Sequence, residues 1–269
     1  MTGTACSLQT LITILNVKHF SIIRCCDPTE LNSYGSGIKC TSCLRRGEAA
    51  PGTLLTIPGD VDTWRCDLGA CGATVPASTV QRLVFRLWDQ VEAAVDSPEA
   101  GVRELEAALA KFSRVLHPGH AGLARIKYSL CGLYGRSPGH ELFKLNEKQL
   151  HRSAELPLCS FLNASCVFRK RTLCEEMLTY LDLVQPGFSC RRGMILYELH
   201  TALLIQGRGS LATDKAGARQ LLRRSLQSLR QCLAVLGLQA SSTFPGQLHA
   251  AVSASRGQVE DFIKTSIKQ

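Results

Sequence analysis

Four cysteines in the first third of the chain are spaced as metal ligands are. Cys40 and Cys43 form a C-x2-C pair, and Cys66 and Cys71 follow as a C-x4-C pair. A C-x2-C turn places two thiolates side by side, and a second pair at this separation can complete a tetrahedral four-thiolate site. The sequence therefore predicts a zinc centre at Cys40, Cys43, Cys66 and Cys71. The alternative is four reduced cysteines in a Gly-rich loop, which leaves their pairing unexplained.

The number and spacing of the cysteines indicate the cellular compartment. The chain has thirteen cysteines, and paired spacing without a convincing signal peptide favours metal in a reducing compartment over disulfides. We therefore expect a cytoplasmic or nuclear protein. Residues 10–17, TLITILNV, form an apolar run that lacks a basic flank and falls short of the ~20 residues that span a bilayer. A strand or short buried segment is expected there, and no membrane segment.

The cysteine-rich stretch from Arg24 to Gly72 also carries a family resemblance. RCCDPTEL, then CTSC, then WRC with a following CG, resemble the post-SET region of SMYD-type (SET and MYND domain) proteins, closest to the insect-type branch. KYSLCGLYGRSPGH at 127–140 and LVQPGFSCRRGMILYEL at 183–199 continue the resemblance in the same order. It implies a part of an S-adenosylmethionine-dependent protein-lysine methyltransferase.

The same resemblance implies that the catalytic parts are missing. The family's methyltransferase core lies upstream of the post-SET segment, and 23 residues precede Arg24 here. The sequence has no GEEI-like strand, NHxC motif, catalytic tyrosine segment or MYND finger. The family builds its post-SET zinc site from a C-x-C-x2-C run. In this sequence Phe20 and Ile22 occupy the first two cysteine positions of that run, so Cys25 lacks its partners there. Whether Cys25 or Cys26 binds metal stays open. We expect no catalytic residue here, and S-adenosylmethionine only in a full-length parent.

Three segments are predicted, the last with an interruption. Residues 1–23 are unassigned, residues 24–75 form the zinc segment, and residues 76–269 form a helical domain. In the resembling proteins LHR at 150–152 would join KRTLCEEML at 170–178 directly, so residues 153–169, which show no helical face, are predicted to be an insertion. A genuine surface loop is the alternative, because insertions at helix junctions cost little closure entropy. Asn163-Ala164-Ser165 matches a glycosylation acceptor, but in the predicted compartment it would not be used.

Apolar residues recur at helical spacing through the rest of the chain. Helices are predicted over 77–95, from Ser97 to about residue 116, over 121–134, 171–183 and 191–206 (ended by Gly207), from an Asp214 cap to 236, and over 246–267. The predicted fold class is mainly α: a small zinc-bearing, loop-rich post-SET-like segment followed by an antiparallel helical domain. That this domain is tetratricopeptide-like is implied by the resemblance.

Charge and the remaining side chains leave two functions open. The net charge is +9, which could attract acidic partners, yet the charges are not clustered with aromatic residues as in nucleic-acid-binding surfaces. The seven histidines are scattered and no residue is nominated as a nucleophile. The chain is therefore either an inactive portion of a SMYD-like methyltransferase or a non-catalytic scaffold, a zinc ribbon with helical repeats that binds a protein or peptide. Nucleic acid is not an expected partner.

Overall fold

A computed structural model describes residues 34–57, 60–97, 100–142 and 163–268. The chain divides into two compact units, residues 1–129 and residues 130–269. The expectations for residues 10–17, Cys25 and Cys26 lie outside the described residues. Within the described ranges, no helix combines the length and apolar character that crossing a membrane requires.

The first unit contains a four-stranded antiparallel sheet whose strands are neighbours in chain order. They are β1 (Ile38–Lys39), β2 (Thr53–Ile57), β3 (Asp60–Cys66) and β4 (Thr74–Pro76). A short helix, α1 (Thr41–Arg45), follows β1. The zinc segment was expected to be loop-rich, and its sheet was not predicted. β1 and β4, with two and three residues, are too short to give an alternating pattern.

Three helices complete the described part of this unit, the last continuing past its end: α2 (Ala77–Val95), α3 (Gly101–Phe112) and α4 (Ala121–Leu133). α2 has the predicted bounds and buries Val80, Leu87 and Val91. α3 begins later than the predicted start at Ser97, whose hydroxyl accepts a hydrogen bond from the Ala100 N–H at 3.4 Å. Because α2 packs on β3 and β4, the first helices share a unit with the sheet instead of starting a separate one at residue 76.

The described part of the second unit holds four long helices: α5 (Ala164–Val184), α6 (Cys190–Ser210), α7 (Lys215–Leu236) and α8 (Phe244–Lys268). Successive helices run antiparallel. α5 meets α6 through Arg171 with Gln206 and through Asp182 with Arg192. α7 begins at the predicted cap, where the Asp214 carboxylate accepts the Gly217 N–H at 2.9 Å. The predicted core positions Cys131, Cys174 and Cys232 are all fully buried.

Residues 164–169 correct the expected insertion. They form the first turns of α5, and Cys166 and Val167 are buried on the face that continues through Lys170, Leu173 and Cys174. The helical face therefore exists and begins at Cys166. Asn163 caps this helix, since its side chain accepts the Cys166 N–H at 3.4 Å. Residues 153–162 lie outside the described residues.

A second correction concerns Gly207, which was expected to end a helix. α6 continues through it to Ser210. Gly207 is buried against α7, and a Cβ there would lie 2.9 Å from the Leu222 side chain. The glycine therefore allows two helices to approach closely, a use that sequence alone does not separate from a helix stop.

Candidate metal centre

The four predicted cysteines come together in one cluster. Their Sγ atoms all lie within 4.8 Å of one another. Cys40 and Cys71 are 3.7 Å apart, as are Cys43 and Cys66. A tetrahedral zinc with Zn–S bonds of about 2.3 Å requires sulfurs about 3.8 Å apart. The cluster therefore has the dimensions of a four-thiolate zinc site, as predicted.

The sheet positions the two pairs of ligands. Cys40 follows β1 and Cys43 lies in α1, while Cys66 ends β3 and Cys71 lies in the turn before β4. The Cys40 N–H donates to the Gly52 carbonyl at 2.7 Å, and the Cys66 N–H donates to the Ala73 carbonyl at 2.9 Å. The first bond ties the residue after β1 to the residue before β2, and the second ties the end of β3 to the residue before β4. Because β2 pairs with β3, the two pairs of cysteines come together although they are distant in sequence.

Backbone N–H groups act on the charge of three of the sulfurs. The amide of Leu68 acts to lower the pKa of the Cys66 thiol, and that of Ala73 lowers the pKa of the Cys71 thiol. The amide of Gly52 acts in the same direction on Cys43. Amide donors of this kind stabilise negative charge on thiolates.

Arg46 is the charged group at the centre. Its guanidinium lies 3.6 Å from the Cys43 sulfur. The Ala73 N–H is the main cause that lowers the pKa of the Cys71 thiol to about 6, and Arg46 adds to it. Burial raises the pKa of the Cys66 thiol to about 12. Zinc binding would displace the remaining protons, because a thiolate and not a thiol is the ligand.

The arrangement indicates a structural centre. Cys40, Cys43 and Cys66 are buried and Cys71 is partly exposed. Four protein thiolates would complete the tetrahedron and leave no open position for water or substrate, which a catalytic zinc requires. Elsewhere in the described ranges, no group of three or more His, Cys, Asp or Glu side chains is placed to hold a metal ion.

Two histidines have local structural roles. His117 and His120 stand three apart, and each Nδ1 accepts a backbone N–H two residues on, from Gly119 at 3.1 Å and Gly122 at 2.9 Å. They shape the turn before α4. Sequence reasoning missed Arg46 and Gly52, since an arginine three residues after a ligand is not a specific signal.

Gly52 supports the centre from outside the ligand set. A Cβ at this position would collide with the Cys66 sulfur and would lie 2.8 Å from Asp67 Oδ1 and 2.9 Å from Leu68 Cγ. We expect Gly52→Ala to weaken zinc binding by at least about tenfold. The added methyl group would displace the Cys66 sulfur, and we expect this to cost at least ~1.4 kcal/mol of zinc-binding free energy. Competition with a chromophoric chelator measures the affinity.

Gly69→Ala is the matched control. It lies in the same cysteine loop, and a Cβ there would meet nothing within 4 Å. Its affinity should equal that of the wild type. Equal zinc affinity in Gly52→Ala and Gly69→Ala would contradict the role given to Gly52.

Comparison with known proteins identifies no relative. No protein-family model matches the chain, and no curated protein matches it. The cysteine centre and the helical architecture therefore rest on the residues and their geometry.

Proposed function

We propose that the chain supplies the zinc-bearing segment and helical lobe of a SMYD-like, S-adenosylmethionine-dependent protein-lysine methyltransferase of the cytoplasm or nucleus. The four-cysteine centre carries this proposal. It lies within the stretch whose RCCDPTEL, CTSC and WRC motifs resemble the post-SET region, and its sulfur spacing fits zinc. The resemblance continues in α4 and α6, on residues that build the helical units.

In this proposal the zinc has a structural role. Bound by four thiolates, it would join β1 and α1 to the end of β3 without touching a substrate. Methyl transfer would depend on a catalytic core outside this sequence. The helices, tetratricopeptide-like by the resemblance, would wall the substrate cleft of that parent enzyme. The chain alone should be inactive.

A second candidate is a non-catalytic scaffold that binds a protein or peptide partner. The surface of the described second unit favours it. α7 carries Lys215, Arg219, Arg223 and Arg230 within one arc of the helix, and the helix itself contains no acidic residue. Leu183 and Phe188, beside the α5–α6 connection, are 51% and 74% exposed. Exposed apolar and basic side chains are the groups through which a helical scaffold would hold an acidic, partly apolar peptide.

Two measurements distinguish the candidates. The complete 5′ sequence of the transcript, read also through codons 151–171, should encode an upstream SET core if the methyltransferase proposal holds. Calorimetric titration with S-adenosylmethionine should then detect binding to the product containing that core and none to this chain. A transcript that begins at Met1 would contradict the methyltransferase proposal and leave the scaffold.

A further inference from the structure

A cavity of about 380 Å³ opens between α6, α7 and α8 in the second unit. Leu229, Leu248, Val252 and Val259 form its apolar walls, and they belong to one packed cluster. Its lining contains no Asp, Glu, Lys or Arg. Its volume lies within the range of small-molecule sites, about 300–1,000 Å³.

His200 is the polar group that distinguishes this cavity. It lines the cavity on α6 and is 6% exposed. Its Nδ1 lies 3.1 Å from the Ser225 carbonyl oxygen and 2.8 Å from Ser225 Oγ. Its Nε2 has no hydrogen-bond partner among the described residues. A ring nitrogen that lines a cavity and has no protein partner is a group that a ligand can satisfy.

The contacts of Ser225 determine the tautomer of His200. A carbonyl oxygen 3.1 Å from Nδ1 requires a proton on Nδ1, because two lone pairs would otherwise face each other. Ser225 Oγ accepts from the same N–H and donates to the His200 carbonyl at 3.1 Å. Burial lowers the pKa of His200, which favours the neutral ring. Nε2 therefore carries a lone pair and accepts hydrogen bonds.

The hydroxyls of Thr201 and Ser255 in the lining are acceptors as well. Thr201 donates its proton to the Tyr197 carbonyl at 3.1 Å. Ser255 donates its proton to the carbonyl of Val252 at 3.1 Å or of Ala251 at 3.4 Å. A ligand that matches this lining would be uncharged, since nothing here pairs with a charge. It would also bring its own donor.

We propose that this cavity binds a neutral, largely apolar small molecule that donates one hydrogen bond, from a hydroxyl or N–H group, to His200 Nε2. The volume equals that of about a dozen water molecules at ~30 Å³ each. A ligand of about ten to twelve non-hydrogen atoms, such as a bicyclic phenol, would fill it.

A pair of probes isolates the donor. 2-Naphthol has the size and one hydroxyl donor, and 2-methoxynaphthalene has nearly the same shape without the donor. We expect the full-length chain to bind 2-naphthol at least about tenfold more tightly, because the methoxy compound leaves Nε2 unsatisfied. Fluorescence titration of each probe measures the two affinities. His200→Phe should bind both probes equally.

Tryptophan substitutions on α8 test the location. Ala250 and Ala251 are both exposed on α8, but only Ala251 lines the cavity. Ala251→Trp should abolish probe binding and Ala250→Trp should preserve it. If Ala251→Trp fails to fold, Ser255→Trp against the exposed Ala254→Trp gives the same comparison.

Three results would overturn the proposal. The first is the absence of 2-naphthol binding, and the second is equal affinity for the two probes. The third is binding that survives the cavity-filling variant. Concentration-dependent association of the chain that Ala251→Trp abolishes, without probe binding, would assign this surface to a second copy instead.

Discussion

Replacing Cys43 by serine is expected to abolish zinc binding and to unfold the sheet of the first unit while the helices of the second unit persist. Cys43 is fully buried and its sulfur contacts both Cys66 and Arg46. β1 has two residues and α1 has five, too few to hold their positions without the metal. Structural zinc sites supply about 10–16 kcal/mol of apparent binding free energy in small zinc peptides, so the loss should exceed the stability of this sheet.

Hydrogen exchange measures this outcome locally. Amides of residues 38–57 and 60–76 should lose protection in Cys43→Ser, whereas those of α6 and α7 should retain it. Cys190→Ser is the matched control, because Cys190 is half-buried and lies outside the cluster. Unchanged exchange in β2 and β3 of Cys43→Ser would show that the sheet does not depend on the metal.

The second large effect is expected at a buried ion pair in the second unit. Lys170, 2% exposed, places Nζ 2.5 Å from Glu198 Oε2 and 2.7 Å from the Tyr134 carbonyl. Arg136 contacts the other carboxylate oxygen of Glu198 at 2.6 Å. Lys170→Met leaves the buried carboxylate with one partner fewer, and Glu198→Gln leaves two cations without their anion. Each change should cost about 3–5 kcal/mol of unfolding free energy, measured by urea denaturation.

An exposed pair between α5 and α7 provides the control. Arg224 and Glu175 are 2.6 Å apart and their side chains are 45% and 35% exposed. Arg224→Met should cost about 1 kcal/mol or less, because water screens such pairs. Equal losses in Lys170→Met and Arg224→Met would contradict the stabilising role given to the buried pair.

The pH dependence of the Glu198 effect has a defined sign. Burial alone would raise the pKa of Glu198, but Lys170 and Arg136 outweigh it and hold the pKa below its ordinary value. A depressed native pKa contributes stability above the unfolded-state pKa of about 4.3 and loses it as the pH falls through the native value. The difference between wild type and Glu198→Gln should therefore be full at neutral pH and shrink below about pH 4.

The cluster of four cysteines was predictable because cysteine spacing is a local property of the sequence. Two close pairs identify the candidate ligands whatever the intervening chain does. The supporting residues were not predictable, since Gly52 reaches Cys66 only through the pairing of β2 with β3. Register between strands is a tertiary property that a short strand does not encode.

Among the helices, too, some features follow from the local sequence and others depend on tertiary contacts. Asp214 and the long apolar period of α7 act locally, and both the cap and the end of the helix were predicted. The beginning of α5 was missed because its buried face includes Lys170, a charged residue that breaks the apolar pattern. The buried lysine is stabilised by Glu198 on α6, 28 residues later in sequence, and by the Tyr134 carbonyl.

X-ray absorption at the zinc edge of the purified full chain tests the metal centre most directly. One zinc per chain is expected, with four sulfur neighbours at about 2.3 Å and no nitrogen or oxygen neighbour. A chain purified under reducing conditions that holds no zinc, or a zinc with fewer than four sulfurs, would contradict the centre. Mass spectrometry showing disulfides between Cys40 and Cys71 and between Cys43 and Cys66 would do the same.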